Sequence, residues 1–217
     1  MNLDILIFLG SVRKSTPPKP PRLGLRVAKS CLAHLEKNHT VTLIDPLEIT
    51  LQKPFKPHFS YAPGKAPEDI ETLAQNIERA DAYVMISPEY NHSMSPALAD
   101  LLNHFGSSLF SYKPSAIVTY SAGQWGGVRA AVTMRTFLSE LGCLPVSAMI
   151  HVPNAEKVFN EDGTFTDSQN VDQWTGYFGR TFNQLQWWGE AAQNQRLHGH
   201  EIQPEFFKKV PSERNAP

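Results

Sequence analysis

The stretch "LDILIFLGSVRKSTPPKPPRLGLRVAKS" (Leu3–Ser30) passes from an apolar run through a short polar turn and a cluster of prolines into a helical pattern. Leu3 to Leu9 is almost continuously apolar, as in a parallel strand covered on both faces. The turn that follows offers backbone N–H groups, the Ser11 hydroxyl and the Arg13 guanidinium, with Lys14 beside it; this set suits a phosphate-like dianion. Four prolines between Pro17 and Pro21 have no N–H to give, so anion binding is expected to end by about Thr16. The proline run then reads as a stiff insertion leading to Arg22. Either Thr16 or Arg22 can supply the donor at the helix end.

Working outward, strand and helix patterns alternate along the chain. A helix is predicted from Arg22 to Lys37, with Leu25, Ala28, Leu32 and Leu35 at helical spacing. "TVTLID" (Thr40–Asp45) is a β-branched strand, and the proline-rich residues 46–66 read as a surface loop. Pro67 opens a helix carrying Ile70, Leu73, Ala74 and Ile77 on one face. "AYVMIS" (Ala82–Ser87) is a third strand, and Ser95-Pro96 is an N-cap with a first-turn proline, opening a helix that buries Leu98, Leu101, Leu102 and Phe105. "SAIVTY" (Ser115–Tyr120) is a fourth strand. A helix from Val128 to Leu141 is closed by Gly142, and "LPVSAMIHV" (Leu144–Val152) is a fifth strand. A last helix, roughly 168–196, carries Trp174, Phe178, Phe182 and Leu185. Five strands alternating with five helices predict a doubly wound parallel sheet of order 2-1-3-4-5 in one domain, residues 1–196. Residues 197–217 read as a polar tail, flexible or laid on a partner surface; "HGH" (His198–His200) is read as part of it and not as a metal site.

With 217 residues, 41% of them hydrophobic, the chain is long enough for a sizeable single core, and a net charge of −1 gives no general attraction to nucleic acid or anionic membranes. Cys31 and Cys143 lack metal-ligand spacing and read as buried thiols of a reducing compartment. The N-terminal apolar run is too short to span a membrane and lacks the basic start of a signal peptide. A cytoplasmic location is therefore expected, with the sequons at Asn38 and Asn91 unglycosylated.

In such a sheet ligands sit beyond the carboxyl ends of the strands. Three loops lie there: "GSVRKST" after strand one, "PEYNHSMSP" after strand three and "SAGQWGG" after strand four. Glycines around Trp125 permit close approach of backbone to a flat ligand. "TYSAG" (Thr119–Gly123) nearly matches the nucleophile elbow of serine hydrolases, with His151 as a conceivable base, but Thr119 stands where the elbow needs a small residue. No dinucleotide fingerprint or P-loop is present. The proline run also spells an SH3-ligand pattern (Pro17, Pro20, Arg22), a match that is common by chance.

Together "GSVR", "PEYNHS", "SAGQWGG" and the "RxGxRVA" pattern at Arg22–Ala28 resemble the NADPH-dependent FMN reductase family, over about Leu3 to Val152. The resemblance implies a flavodoxin-like fold, FMN as cofactor and NAD(P)H as electron donor. It implies that Ser11 and Arg13, with Ser15, Thr16 and Arg22 as further candidates, hold the phosphate. Pro88, Glu89, Tyr90 and Asn91 would border the ring system. Ser121, Gly123, Gly126 and Gly127 would line its pyrimidine edge, with Trp125 close by. Because the flavin carries hydride transfer, no catalytic side chain is required. A ping-pong route to a quinone, azo compound or similar small acceptor is implied, and so is a homodimer using His92–Phe105 and the last helix. The alternatives are a flavin-based redox regulator with the same loops and an electron carrier, the latter disfavoured by the absence of an acidic surplus.

Overall fold

A computed structural model describes residues 1–14 and 22–198 of the chain. The elements are β1 (Asp4–Leu9), α1 (Leu23–Leu35), β2 (Thr40–Ile44), α2 (Glu68–Arg79), β3 (Ala82–Pro88), α3 (Pro96–Asn103), α4 (Ser107–Phe110), β4 (Pro114–Tyr120), α5 (Val128–Leu141), β5 (Leu144–Pro145), β6 (Ile150–Val152), α6 (Ala155–Val158) and α7 (Val171–His198). A single 3-10 turn, His58–Ser60, interrupts the loop between β2 and α2. All strand pairings within the sheet are parallel, and the order is β2-β1-β3-β4-β5, with β6 also paired to β4. The predicted flavodoxin-like order is the one observed.

Alternation of side chains along β1, β3 and β4 divides the core in two. Ile5, Ile7, Val84, Ile86 and Val118 face α1 and α7, whereas Leu6, Phe8, Tyr83, Met85 and Ile117 face α2, α3 and α5. Both faces are covered, which is why these strands read as continuous apolar runs. On α1 the buried stripe is Gly24, Val27, Ala28, Cys31 and Leu35. Leu25 and Leu32 flank that stripe, so the helix is rotated slightly from the face its leucines suggest.

The predicted fifth strand is in fact two. Pro145 has no N–H for the ladder, and the chain leaves β4 after Val146 before rejoining it at Ile150. Side chains from α5 and α7 take over the backbone groups in between: Arg135 donates to the Val146 and Ser147 carbonyls, and the Ala148 N–H donates to Gln184. The third helix is likewise shorter than its apolar pattern, ending at Asn103. Phe105 is buried from the connection to α4. Cys31 and Cys143 are unpaired and buried, and burial pushes the Cys143 thiol up to about 12.

Ser95 joins the sheet edge to α3. Its Oγ accepts from the Leu98 N–H (3.1 Å) and donates to the Gly10 carbonyl (2.6 Å), and its own N–H donates to Ser87 Oγ (2.9 Å). Ser95→Ala removes a cap and leaves the buried Gly10 carbonyl unpaired. It is expected to cost about 1–2 kcal/mol, measured by urea denaturation; a cost within ~0.3 kcal/mol of zero would contradict this role.

Candidate functional site

The carboxyl ends of β1, β3 and β4 open into a cavity of about 420 Å³, lined by Ser11, Arg13, Arg22, Leu23, Pro88, Glu89, Tyr90, Tyr120, Ser121 and Ala122. Its volume lies within the range of small-molecule sites. Seven of the residues singled out from the sequence therefore meet here. Leu23, Tyr120 and Ala122 are additions: the first and last carry no chemical signal, and Tyr120 reads as the closing residue of a strand.

The first loop is held tightly. The Gly10 N–H donates to the Ile86 carbonyl at 2.7 Å, and Ser11 Oγ lies 3.4 Å from the Arg13 N–H. Arg22 occupies the N-cap position of α1, but its guanidinium forms a forked pair with Asp45 (2.6 and 3.0 Å) and also donates to the Ser11 carbonyl. Burial alone would raise the Asp45 carboxyl; the Arg22 hydrogen bond, the Leu47 N–H and the Arg22 charge outweigh it and hold the group below its ordinary value. Arg13 is exposed, and its guanidinium has no partner among the described residues. Ser15, Thr16 and the prolines at 17–21 lie outside the described residues.

The second loop closes as a two-residue hairpin. Tyr90 and Ser93 exchange both backbone hydrogen bonds at 2.9 Å, with Asn91 and His92 at positive φ between them. Glu89 reaches across to α5, accepting from the Arg129 N–H (3.2 Å) and from Arg129 Nη1 (2.9 Å). Asn91 is exposed and outside the cavity lining.

In the third loop Ser121 Oγ donates to the Gly123 carbonyl (2.7 Å) and accepts from the Gly126 N–H (2.9 Å). His151 Nδ1 pairs with Thr119 Oγ1 at 2.8 Å. Burial, then the Arg180 charge, holds this imidazole below its ordinary pKa. Ser121 is thus engaged within its own loop, and the hydrolase alternative has no serine–histidine contact to stand on. Gly127 has φ +75° and a Cβ there would lie 3.0 Å from Thr119 Cβ, so this glycine is fixed by its backbone and by β4. Gly123, Gly126, Gly127 and Trp125 border the cavity's loop without lining the cavity itself. Trp125 is 59% exposed, with the Arg129 guanidinium 5.6 Å above its ring.

The "RxGxRVA" pattern resolves into three contacts. Arg22 holds the first loop. Gly24 makes room for Tyr120, whose hydroxyl a Cβ at that position would overlap. Arg26 is buried and donates to the Phe159 carbonyl at 2.9 Å. Tyr120 is 5% exposed, and burial pushes its phenol up to about 12 against the opposing hydrogen bond with Ser11.

Comparison with known proteins bears on the family and the fold. The family model for NADPH-dependent FMN reductase matches residues 3–157. An NAD(P)H-dependent FMN reductase of Pseudomonas aeruginosa is 32% identical over 113 residues, covering 50% of this chain and 60% of that protein. An NADPH azoreductase of a Bacillus species is 35% identical over 72 residues, 33% of this chain and 40% of its own. The quinone reductase of Escherichia coli K12 is 29% identical over 204 residues, covering 90% of this chain and 98% of that protein. Among solved structures, the flavoenzyme NAD(P)H:(acceptor) oxidoreductase FerB of Paracoccus denitrificans superposes with a TM-score of 0.66 at 21% identity, over 85% of this chain and 98% of its own, which establishes the shared fold. The chain belongs to the NADPH-dependent FMN reductase family, whose chemistry is flavin- and nicotinamide-dependent oxidoreduction.

The residues present fit a flavin phosphate. The cavity combines the Ser11 hydroxyl and the Arg13 guanidinium, unpartnered among the described residues, with flat and small side chains. No helix among the described residues is long and apolar enough to cross a membrane, and no cluster there of three or more His, Cys, Asp or Glu could hold a metal ion.

Gly24→Ala should displace Tyr120 and cost about 1–3 kcal/mol of stability. Tyr120→Phe removes the atom that the new Cβ meets first, so the double variant should lose less than the two single losses added together. Strict additivity in chemical denaturation would show that the two residues do not share this space.

Proposed function

We propose that this chain is an FMN-dependent NAD(P)H oxidoreductase that passes hydride to a quinone, an azo compound or a similar small planar acceptor. The observation that carries the reading is the convergence of Ser11 and Arg13 with Pro88, Tyr90, Tyr120 and Ser121 on one cavity at the carboxyl edge of the sheet. Relatives named for FMN, azo and quinone reduction support the acceptor class. Bound FMN supplies a ring that accepts and returns hydride. The Arg13 fork and the Ser11 hydroxyl bind the phosphate. Of the residues expected around the ring, Pro88, Glu89 and Tyr90 would border it and Ser121 would meet its polar edge, since these line the cavity; Asn91, Gly123, Trp125, Gly126 and Gly127 do not. No side-chain acid or base is assigned a proton. NAD(P)H and the acceptor occupy the same space in turn, which makes the order ping-pong and the acceptor choice loose. Two unpaired thiols accord with a cytoplasmic setting.

We extend the reading to a homodimer. Leu98, Leu101 and Leu102 of α3 and Phe105 after it are core residues, so of the two candidate surfaces, His92–Phe105 and α7, the second offers the larger exposed apolar side chains. Trp187 and Trp188 on α7, 63% and 43% exposed and packed edge to face, are the candidate surface. Sedimentation should give a dimer that Trp187→Ser dissociates; a monomer at micromolar concentration would remove this extension.

The cofactor is tested by loading the protein with FMN, denaturing it and identifying the released flavin. FMN is the expected product, and FAD or no flavin contradicts the reading. Without air, NADPH or NADH should bleach the flavin colour and a quinone should restore it. Arg13→Ala should weaken FMN binding about tenfold to a hundredfold, the loss of one charge-assisted phosphate contact. Riboflavin, which has no phosphate, should be nearly unaffected.

A further inference from the structure

Arg22 stands at the first boundary of α1 without capping it: no side-chain bond is made to that helix. The guanidinium turns instead to the end of β2, where Nη1 meets Asp45 Oδ2 at 2.6 Å and Nη2 meets Oδ1 at 3.0 Å. Both side chains are well covered, 15% and 11% exposed. The same Nη2 donates to the carbonyl of Ser11, the residue whose other face lines the cavity. Asp45 is fixed in turn by the Leu47 N–H at 3.0 Å. The charge of Arg22 is therefore matched within the protein, whereas that of Arg13 is unmatched among the described residues.

Arg22 itself lines the cavity, and its Nε has no partner among the described residues. Its two Nη atoms, however, are spent on Asp45 and the Ser11 carbonyl. We infer that Arg22 and Asp45 form a positioning pair: they fix the Ser11 peptide and so aim the Ser11 hydroxyl and Arg13 into the cavity, without the Arg22 fork being a ligand of the anion. The inference rests on the FMN reading, and it adds that the phosphate is met by one net cation of the described residues. A forked pair restricts both partners in angle as well as distance, which a loop needs if its hydroxyl is to be aimed. Were Arg22 itself the phosphate ligand, Asp45 would be a competitor for it. The two arrangements differ in sign. Removing the Asp45 charge should strengthen anion binding if the carboxylate competes, and weaken it if the carboxylate positions.

The experiment measures binding of FMN and of riboflavin to cofactor-free protein by flavin fluorescence, for the natural chain, Asp45→Asn and Arg22→Lys. Asparagine keeps one acceptor oxygen for Leu47 but loses the fork, and lysine keeps the charge but loses the fork. Each variant should bind FMN about tenfold more weakly while riboflavin affinity changes less than about threefold. The double variant should be little worse than either single one, because both break the same contact. Tighter or unchanged FMN binding by Asp45→Asn, or full affinity in Arg22→Lys, overturns the inference. So does an equal loss for FMN and riboflavin in both variants, which marks a merely structural role. If the natural chain binds no FMN at all, it is the proposed function that fails.

Discussion

The site depends on how closely the chain crosses the sheet edge at Gly10. Its N–H bonds to the Ile86 carbonyl at 2.7 Å, and a Cβ on the same residue would lie 2.5 Å from that oxygen. No side chain fits, so the loop after β1 lies directly against the end of β3 and brings Ser11 next to Pro88 and Tyr90. Ser95, holding the Gly10 carbonyl, ties α3 to the same crossing. Shifting the crossing would move the anion-binding end and the flat end of the cavity apart. The later glycines follow the same logic. Gly24 yields space to Tyr120 and Gly127 to Thr119, so the elements around the cavity are set by backbone proximity more than by polar contacts.

Much of this could be read in the sequence because the sheet is covered on both faces. Continuous apolar runs at β1, β3 and β4 leave no other reading, and the helix face of α2 follows from spacing alone. The reading failed where a local rule overrode the pattern. Leu144–Val152 looks like one strand, yet Pro145 breaks the ladder and Arg135 and Gln184, distant in sequence, supply the missing partners. Phe105 continues the periodicity of α3 but belongs to a connection, and α4 and α6 are each four residues long, too short to impose a period.

Site residues were legible in proportion to their polarity and to the turns that carry them. Ser11, Arg13, Glu89, Tyr90 and Ser121 announce themselves as polar groups at strand ends, and all five line the cavity. Arg22 was equally visible, but its engagement with Asp45 was not, because the two meet only once β1 and β2 are in register. Tyr120 was missed for the opposite reason. It completes an apolar strand, and only the missing side chain at Gly24 reveals where its hydroxyl lies.

The pairing of Glu89 with Arg129 has a consequence for how molecules arrive at the cavity. Arg22 and Arg129 are each neutralised by a carboxylate within hydrogen-bond distance, and the whole chain carries a charge of only −1. What stays unmatched among the described residues at the mouth is the exposed Arg13, with Lys14 beside it, and the field of this local positive charge fades beyond about a Debye length. An anion is then favoured only once it is within that distance, and less so as ionic strength rises. Uncharged molecules would be sorted by shape at the exposed Tyr90 ring, after contact and not before it.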